Sequence, residues 1–195
     1  MYAHIRGIVD QIGVDRAVIE AGGVGYELNC SSATLRTLTL GASAKLYTHF
    51  HLSQDAVALY GFASDEERAM FRKLIAISRI GPKVALNVLS VLAPEDVTLA
   101  VLTDNAAAFD RVPGMGRKTA ARVILELKGK VDAADQAPQD QGPGASSASI
   151  RTEAIAALVA LGYDGAEAGR VVAGLPAADT VEEMIKNALR EISKK

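Results

Sequence analysis

Cysteine is almost missing from this sequence: Cys30 is the only one among 195 residues. That excludes an internal disulfide and any zinc site built from several cysteines. Tryptophan is absent and aromatic residues make up 5%, yet the apolar fraction of 49% is ample for hydrophobic cores. No long apolar run precedes the first charges of MYAHIRGIVD, so neither a signal peptide nor a membrane span is expected there. Later apolar stretches are broken by charges and glycines. An intracellular, cytoplasmic protein is the expectation.

Recognisable catalytic spacing is missing too. The three histidines are His4, His49 and His51. His49 and His51 fall in one predicted strand and are assigned to opposite faces, which makes them poor joint metal ligands. No serine-histidine-acid or histidine-cysteine spacing stands out. The acid pairs Glu66-Glu67, Glu95-Asp96 and Glu182-Glu183 sit in predicted first turns, where the helix dipole accounts for them. A metal-dependent nuclease needs a convergent carboxylate set, and none can be assembled. No catalytic residue, metal site or cofactor is therefore expected.

Net charge is -2, which argues weakly against nucleic acid only if the charge is evenly spread. It is not. Residues 1–62 balance at -1, residues 63–130 at +3, residues 131–148 at -3, and residues 149–195 at -1. Phosphate responds to the local field, and the positive excess lies in one block.

The first 62 residues read as strands. Alternation runs through Ile5–Val9, Ala17–Ala21, Tyr26–Asn29, Ala44–Phe50 and Val57–Tyr60, with Gly22-Gly23 as a hairpin turn. Five short strands suit a small closed barrel such as the oligonucleotide-binding (OB) fold, although periodicity does not separate it from other small barrels. At Ser64 the pattern changes to helix, with Ser64 and Glu67 as a capping box and Met70, Phe71, Leu74, Ile75 and Ile77 following at helical spacing. Further helices are predicted at about 82–92, 95–103, 105–110 and 117–128. Residues 131–148, VDAADQAPQDQGPGASSA, lack periodicity and large hydrophobes, so a flexible linker is expected. Three short helices close the chain over 149–195, the first ending at Gly162 and the third opening on Thr180 and Glu183.

The strongest local signal is Val112-Pro-Gly-Met-Gly-Arg-Lys-Thr-Ala120. Gly114 and Gly116 make a tight turn between two helices, and the amides that open the second helix point outward, where its dipole favours a phosphate. Arg117 and Lys118 add charge beside those amides. Ala120 is small enough for the helices to cross closely.

A second copy lies 35 residues upstream at Ile80-Gly-Pro-Lys-Val-Ala85. Gly81 matches Gly116, Lys83 matches Lys118 and Ala85 matches Ala120. The flanks repeat as well, Leu74 and Ile77 with Phe109 and Val112, then Val88-Leu89 with Val123-Ile124. Arg79 stands where the second copy has Gly114. The expectation is a hairpin that is tighter, less regular or slightly weaker as a phosphate clamp, unless the Arg79 charge restores the attraction.

Neither copy follows a buried strand or reads G-x-G-x-x-G, and Gly116-Arg-Lys-Thr119 lacks the glycine before lysine that a phosphate loop requires. The candidate contacts to a DNA backbone are Arg79, Ile80, Gly81, Lys83, Gly114, Met115, Gly116, Arg117, Lys118 and Thr119. No orderly recognition helix faces base edges, so binding should follow shape rather than sequence.

GGVGYEL (22–28), THF (48–50), DAVALYGF (55–62), IGPKVALNVLS (80–90), PGMGRKTAARVILELK (113–128) and EAIAALVALGY (153–163) resemble the RuvA family over essentially the whole length. These are the bacterial Holliday junction-binding subunits of the RuvAB branch migration complex. The resemblance implies an N-terminal five-stranded OB-fold barrel (1–62) that tetramerises, and a central all-α double helix-hairpin-helix domain (63–130). A flexible linker (131–148) and a C-terminal three-helix, UBA-like domain (149–195) follow.

It also implies an accessory subunit of a helicase complex that holds four-way junction DNA open, with ATP used by the RuvB motor. The RuvC resolvase and an octameric form belong to the same expectation. The motor contact region would be Leu158, Leu161, Met184, Ile185 and Leu189. An acidic pin at the junction centre would be Asp55, with Gln54 where a second acid is usual. The plain alternative is that Asp55 is a turn residue. A general DNA-binding adaptor for another repair enzyme is the competing function.

Overall fold

The computed structural model describes residues 2–54, 57–134 and 147–192. They fall into two compact units, one formed by residues 1–94 with 111–114, the other by 95–110 with 115–195.

The first unit begins with a closed barrel. Its strands are β1 (His4–Ile12), β2 (Arg16–Ala21), β3 (Val24–Cys30), β4 (Ser43–Leu52) and β5 (Val57–Phe62). They close in the order β1-β2-β3-β5-β4. Every pairing is antiparallel except β3 with β5, which run parallel through Asn29 opposite Tyr60 and Cys30 opposite Gly61. The long β1 serves two neighbours, pairing Ile5 with Leu46 of β4 and Val9 with Ile19 of β2 across a bulge between Val9 and Gln11. Closure removes the exposed edges an open five-stranded sheet would have. This pairing order, which periodicity does not encode, is that of an OB barrel.

Alternation puts Ile5, Val9, Ala17, Ile19, Leu28, Cys30 and Leu46 inside. Burial, with the nearby Glu67 carboxylate adding to it, pushes the Cys30 thiol up to about 12, so this cysteine is a neutral core residue.

A short helix that the alternation did not reveal, α1 (Ser32–Thr37), joins β3 to β4. Its N-cap Ser31 accepts from the Thr34 amide at 3.0 Å. After the barrel come α2 (Asp65–Ile75) and α3 (Pro82–Val91). Half of the capping box expected at α2 is present, since Ser64 Oγ accepts from the Glu67 amide at 3.1 Å. The reciprocal half is redirected. The Glu67 carboxylate reaches into α1, where Ser31 Oγ donates to it and Thr34 Oγ1 donates at 2.6 Å, while the Ala63 amide donates at 3.2 Å. One buried carboxylate thus serves the starts of two helices, and its negative charge faces the positive end of both dipoles.

Two more ties join the barrel to the helices. Phe71 of α2 is fully buried, its ring 4.9 Å from that of Phe62, 5.0 Å from Tyr60 and 5.4 Å from His49. Ser90 Oγ of α3 accepts from the Ser32 amide at 2.9 Å. The first hairpin is therefore mounted on the barrel by packing and hydrogen bonds.

His49 and His51 correct an expectation. Residues two apart in a strand share a face, and the two imidazoles lie side by side with centroids 6.3 Å apart. Burial, with Arg72, His51 and Arg68 adding to it, lowers the His49 pKa, so His49 is neutral at pH 7. Among the described residues no group of three or more His, Cys, Asp or Glu could hold a metal ion.

The second unit holds α4 (Pro94–Leu102) from Glu95 onward, a 3-10 turn at Ala106–Phe109, α5 (Arg117–Ala134), and the cluster α6 (Ser147–Ala160), α7 (Gly165–Gly174) and α8 (Val181–Ile192). The predicted linker is shorter than expected at both ends. Helix α5 continues through Val131–Ala134, where no proline or glycine stops it, and α6 already begins at Ser147. Residues 135–146 lie outside the described residues. In the terminal cluster Ile150, Ala154, Ile155, Leu158, Ala168, Val172, Met184 and Ala188 form the buried core. Gly162 ends α6, with the Tyr163 amide reaching back to the Leu158 carbonyl at 3.1 Å. No single helix among the described residues is long and apolar enough to cross a membrane.

Candidate nucleic-acid interface

The two hairpins repeat in three dimensions as they do in sequence. At an offset of 35, Leu74 and Phe109 are both fully buried, as are Ala85 and Ala120 to within 1% exposure. Ile77 with Val112, Ile80 with Met115, Val88 with Val123 and Leu89 with Ile124 are buried in matching pairs. The first helical bond repeats too, from the Ala85 amide to the Gly81 carbonyl at 3.1 Å and from Ala120 to Gly116 at 2.9 Å. Between these buried positions, Arg79 and Gly114, Gly81 and Gly116, and Lys83 and Lys118 are all exposed. Each hairpin is thus an apolar base carrying an outward rim.

Packing fixes the base, but it does not account for the glycines of the rim. A Cβ added at Gly81 or Gly116 would meet nothing within 4 Å, and neither residue has a positive φ. The folded chain has room for a side chain at both positions. What glycine leaves there is an open approach to backbone amides that the following helix does not use. No side chain caps α3, whose N-cap is Gly81. An anion can reach those amides, and the helix dipole favours it.

The charges agree with this. Arg122 of α5 pairs with Glu126 at 2.7 Å, and Lys128 with Asp104 at 2.7 Å. Arg79, Lys83, Arg117 and Lys118, on the rims, form no ion pair among the described residues. Further along α5, Arg122 and Lys128 are held by carboxylates, whereas the four rim cations are free to meet an anion from outside.

Arg79 keeps the turn regular, contrary to the expectation of a less regular hairpin. Its φ is 71°, in the same left-handed region as Gly114 at 82°. For an L-residue other than glycine this conformation costs about 1–2 kcal/mol. Among described non-glycine residues only Asp104 shares a positive φ.

The remaining predicted residues divide by burial. Ile80 and Met115 are buried and can offer a ligand only their backbone, and Thr119 is half-buried. Gln54 is exposed, and Asp55 lies outside the described residues. In the terminal cluster Leu158 and Met184 are core side chains, unavailable to a partner while the bundle is closed, whereas Leu161 is 64% exposed. Ile185 and Leu189 are half-buried. Sequence reading missed Asn87, which donates from Nδ2 to the Pro113 carbonyl at 3.0 Å and braces the turn of the second hairpin from α3. It also missed the long-range role of Glu67.

A small barrel joined to tandem hairpins with open amides and unpaired cations defines a class: proteins that grip nucleic acid by its backbone. Comparison with known proteins narrows it. Residues 1–61 match the RuvA N terminal domain, residues 71–130 the SAM-like helix-hairpin-helix tandem, and residues 149–193 the RuvA C-terminal domain. The chain is 43% identical over 195 residues to a protein of Herpetosiphon aurantiacus named Holliday junction branch migration complex subunit RuvA, covering 97% of this chain and 98% of that one. Proteins of the same name from Nocardia farcinica (41%, 92% of each chain) and Chloroflexus aurantiacus (38%, 97% of each chain) are similarly close. The chain belongs to the RuvA family.

Proposed function

We propose that this chain is the Holliday junction-binding subunit of a RuvAB branch migration complex. It holds four-way junctions open and brings the RuvB ATPase to them, and it contributes no active site of its own. The observation that carries this reading is the doubled hairpin with matched buried bases and unpaired cationic rims, in a chain of the RuvA family. Each hairpin takes a backbone phosphate on its rim amides, with Lys83 at the first and Arg117 and Lys118 at the second. Nothing in this arrangement reads bases, so recognition rests on the shape of the junction.

The finer assignments belong to the same proposal. Residues 1–62 build a tetramer around the crossover, and two tetramers form an octamer that encloses it. Residues 63–130 grip the arms, and the segment between α5 and α6 tethers the terminal helices, which dock on RuvB. Leu161, Ile185 and Leu189 are the apolar side chains within reach of the motor. RuvC acts on the same junction. Asp55 repels phosphate at the centre, and Gln54 makes this centre less acidic than an acid pair would.

The test is affinity for a four-way junction and for linear duplex of equal length, across a salt series, with the parent, Asp55→Asn and Gln54→Glu. The parent should prefer the junction. Asp55→Asn should tighten junction binding and let duplex compete better, most of all at low salt, where charge is least screened. Gln54→Glu should do the reverse. Equal parent affinity for junction and duplex would favour a general DNA-binding adaptor. An unchanged junction-to-duplex ratio in both variants would return Asp55 to a turn residue.

A further inference from the structure

The first hairpin lacks something the second has. Pro82 opens α3 at the position where Arg117 opens α5. Proline has no N–H, so the first rim offers one amide fewer, and at that position it also lacks a cation. Three residues earlier the difference runs the other way. The second hairpin has Gly114 at the left-handed turn position, and the first has Arg79, exposed and without an ion pair among the described residues.

Among the described residues no hydrogen bond or ion pair accounts for arginine at that position. The turn is closed by backbone alone, from the Ile80 amide to the Ile77 carbonyl at 3.0 Å. Glycine or asparagine would adopt the same φ more readily. For the free chain arginine is the poorer choice at this φ.

We propose that Arg79 is a dedicated ligand for a DNA backbone phosphate, held at a strained turn position, and that it replaces the donor the first hairpin loses at Pro82. The proposal rests on the reading above that both rims bind backbone, and it adds that they do so by different means. The guanidinium carries a fixed charge and a planar fork of donors that fits two phosphate oxygens at once. Arg79 lies two residues before Gly81, the N-cap of α3, which brings its long side chain within range of a phosphate held at those amides. The first clamp is centred on a side chain, the second on backbone.

Arg79→Lys, Arg79→Ala and Arg79→Gly in the full chain separate strain from binding. Each is melted without DNA and titrated with junction and duplex across a salt series, beside Lys118→Ala. Arg79→Gly should melt higher than Arg79→Ala, because only glycine relieves the left-handed residue. The two should bind alike, with the slope of log affinity against log salt lower by about 0.9 for one lost phosphate contact. Affinity at moderate salt should fall on the order of tenfold, the scale of one charge-assisted hydrogen bond. Arg79→Lys should keep the slope and lose part of the affinity, since an ammonium cannot bind bidentately.

If Arg79→Ala keeps the parent's slope and affinity while Lys118→Ala lowers both, the Arg79 proposal is wrong and the hairpin reading stands. If neither substitution moves the slope, the hairpin reading fails as well. A higher melting point for Arg79→Gly with unchanged binding would leave Arg79 as strain without a ligand.

Discussion

The two hairpins agree in which positions are buried and share a glycine and a lysine on the rim, but they differ at the turn and at the first helical residue. From Leu74 and Phe109 to Leu89 and Ile124, each buried position of one copy has a buried counterpart in the other. At the turn and the first helical residue, Arg79 stands against Gly114 and Pro82 against Arg117. A buried position must suit its neighbours, and a change of one methylene is felt. A rim position answers only to the ligand, and the same phosphate can be held by an amide or by a side chain. The repeat therefore keeps its base and varies its means of contact.

Glycine replacement should break this comparison most visibly. Gly116→Leu places a side chain in open space at a φ that any residue adopts, so the fold should survive with a small drop in melting temperature. Phosphate would be kept from the amides at a cost of about 1.5–3 kcal/mol, roughly ten- to a hundredfold in affinity. Gly81→Leu should cost less, because the first rim relies more on Arg79. A loss at Gly81 equal to that at Gly116 would remove the asymmetry.

Lysine removal comes next. Lys83→Ala and Lys118→Ala should each lower the salt slope by about 0.9 and weaken binding several-fold, alike for scrambled DNA sequences. A change in base preference with the slope intact would contradict backbone binding. The smallest effect belongs to Asn87→Ala, which removes one largely exposed bond to Pro113. It should cost about 0.5 kcal/mol of stability and leave junction affinity within about twofold. A larger binding loss would mean that the brace on the second turn sets the grip itself.

Much of this was legible because it is local and periodic. The 35-residue repeat of apolar residues announced the hairpins, and alternation announced the five strands. What escaped was long-range or short. Strand order is a matter of pairing, which alternation does not record. Helix α1, Ser-Ala-Thr-Leu-Arg-Thr, is only six residues long, half of them serine or threonine, too short to give a periodic signal. The capping box at Ser64 was visible, but not that its glutamate would turn to Ser31 and Thr34, more than 30 residues upstream. Arg79 looked like an interruption of the repeat, because sequence gives the residue and not its φ. Leu158 and Met184, which the resemblance placed in a partner contact, are apolar residues buried in the terminal core.

Glu67 has a consequence for anyone splicing members of the family together. The family matches end at residue 61 and resume at residue 71, so the glutamate that joins barrel to helices falls in the seam and belongs to neither. A chimera cut at Phe62 takes Ser31 and Thr34 from one parent and their acceptor from the other. It succeeds only where the second parent supplies a carboxylate at the same place, and otherwise leaves two buried hydroxyls on the barrel side without their acceptor. The transplantable unit is the barrel together with the first turn of the helix that follows it.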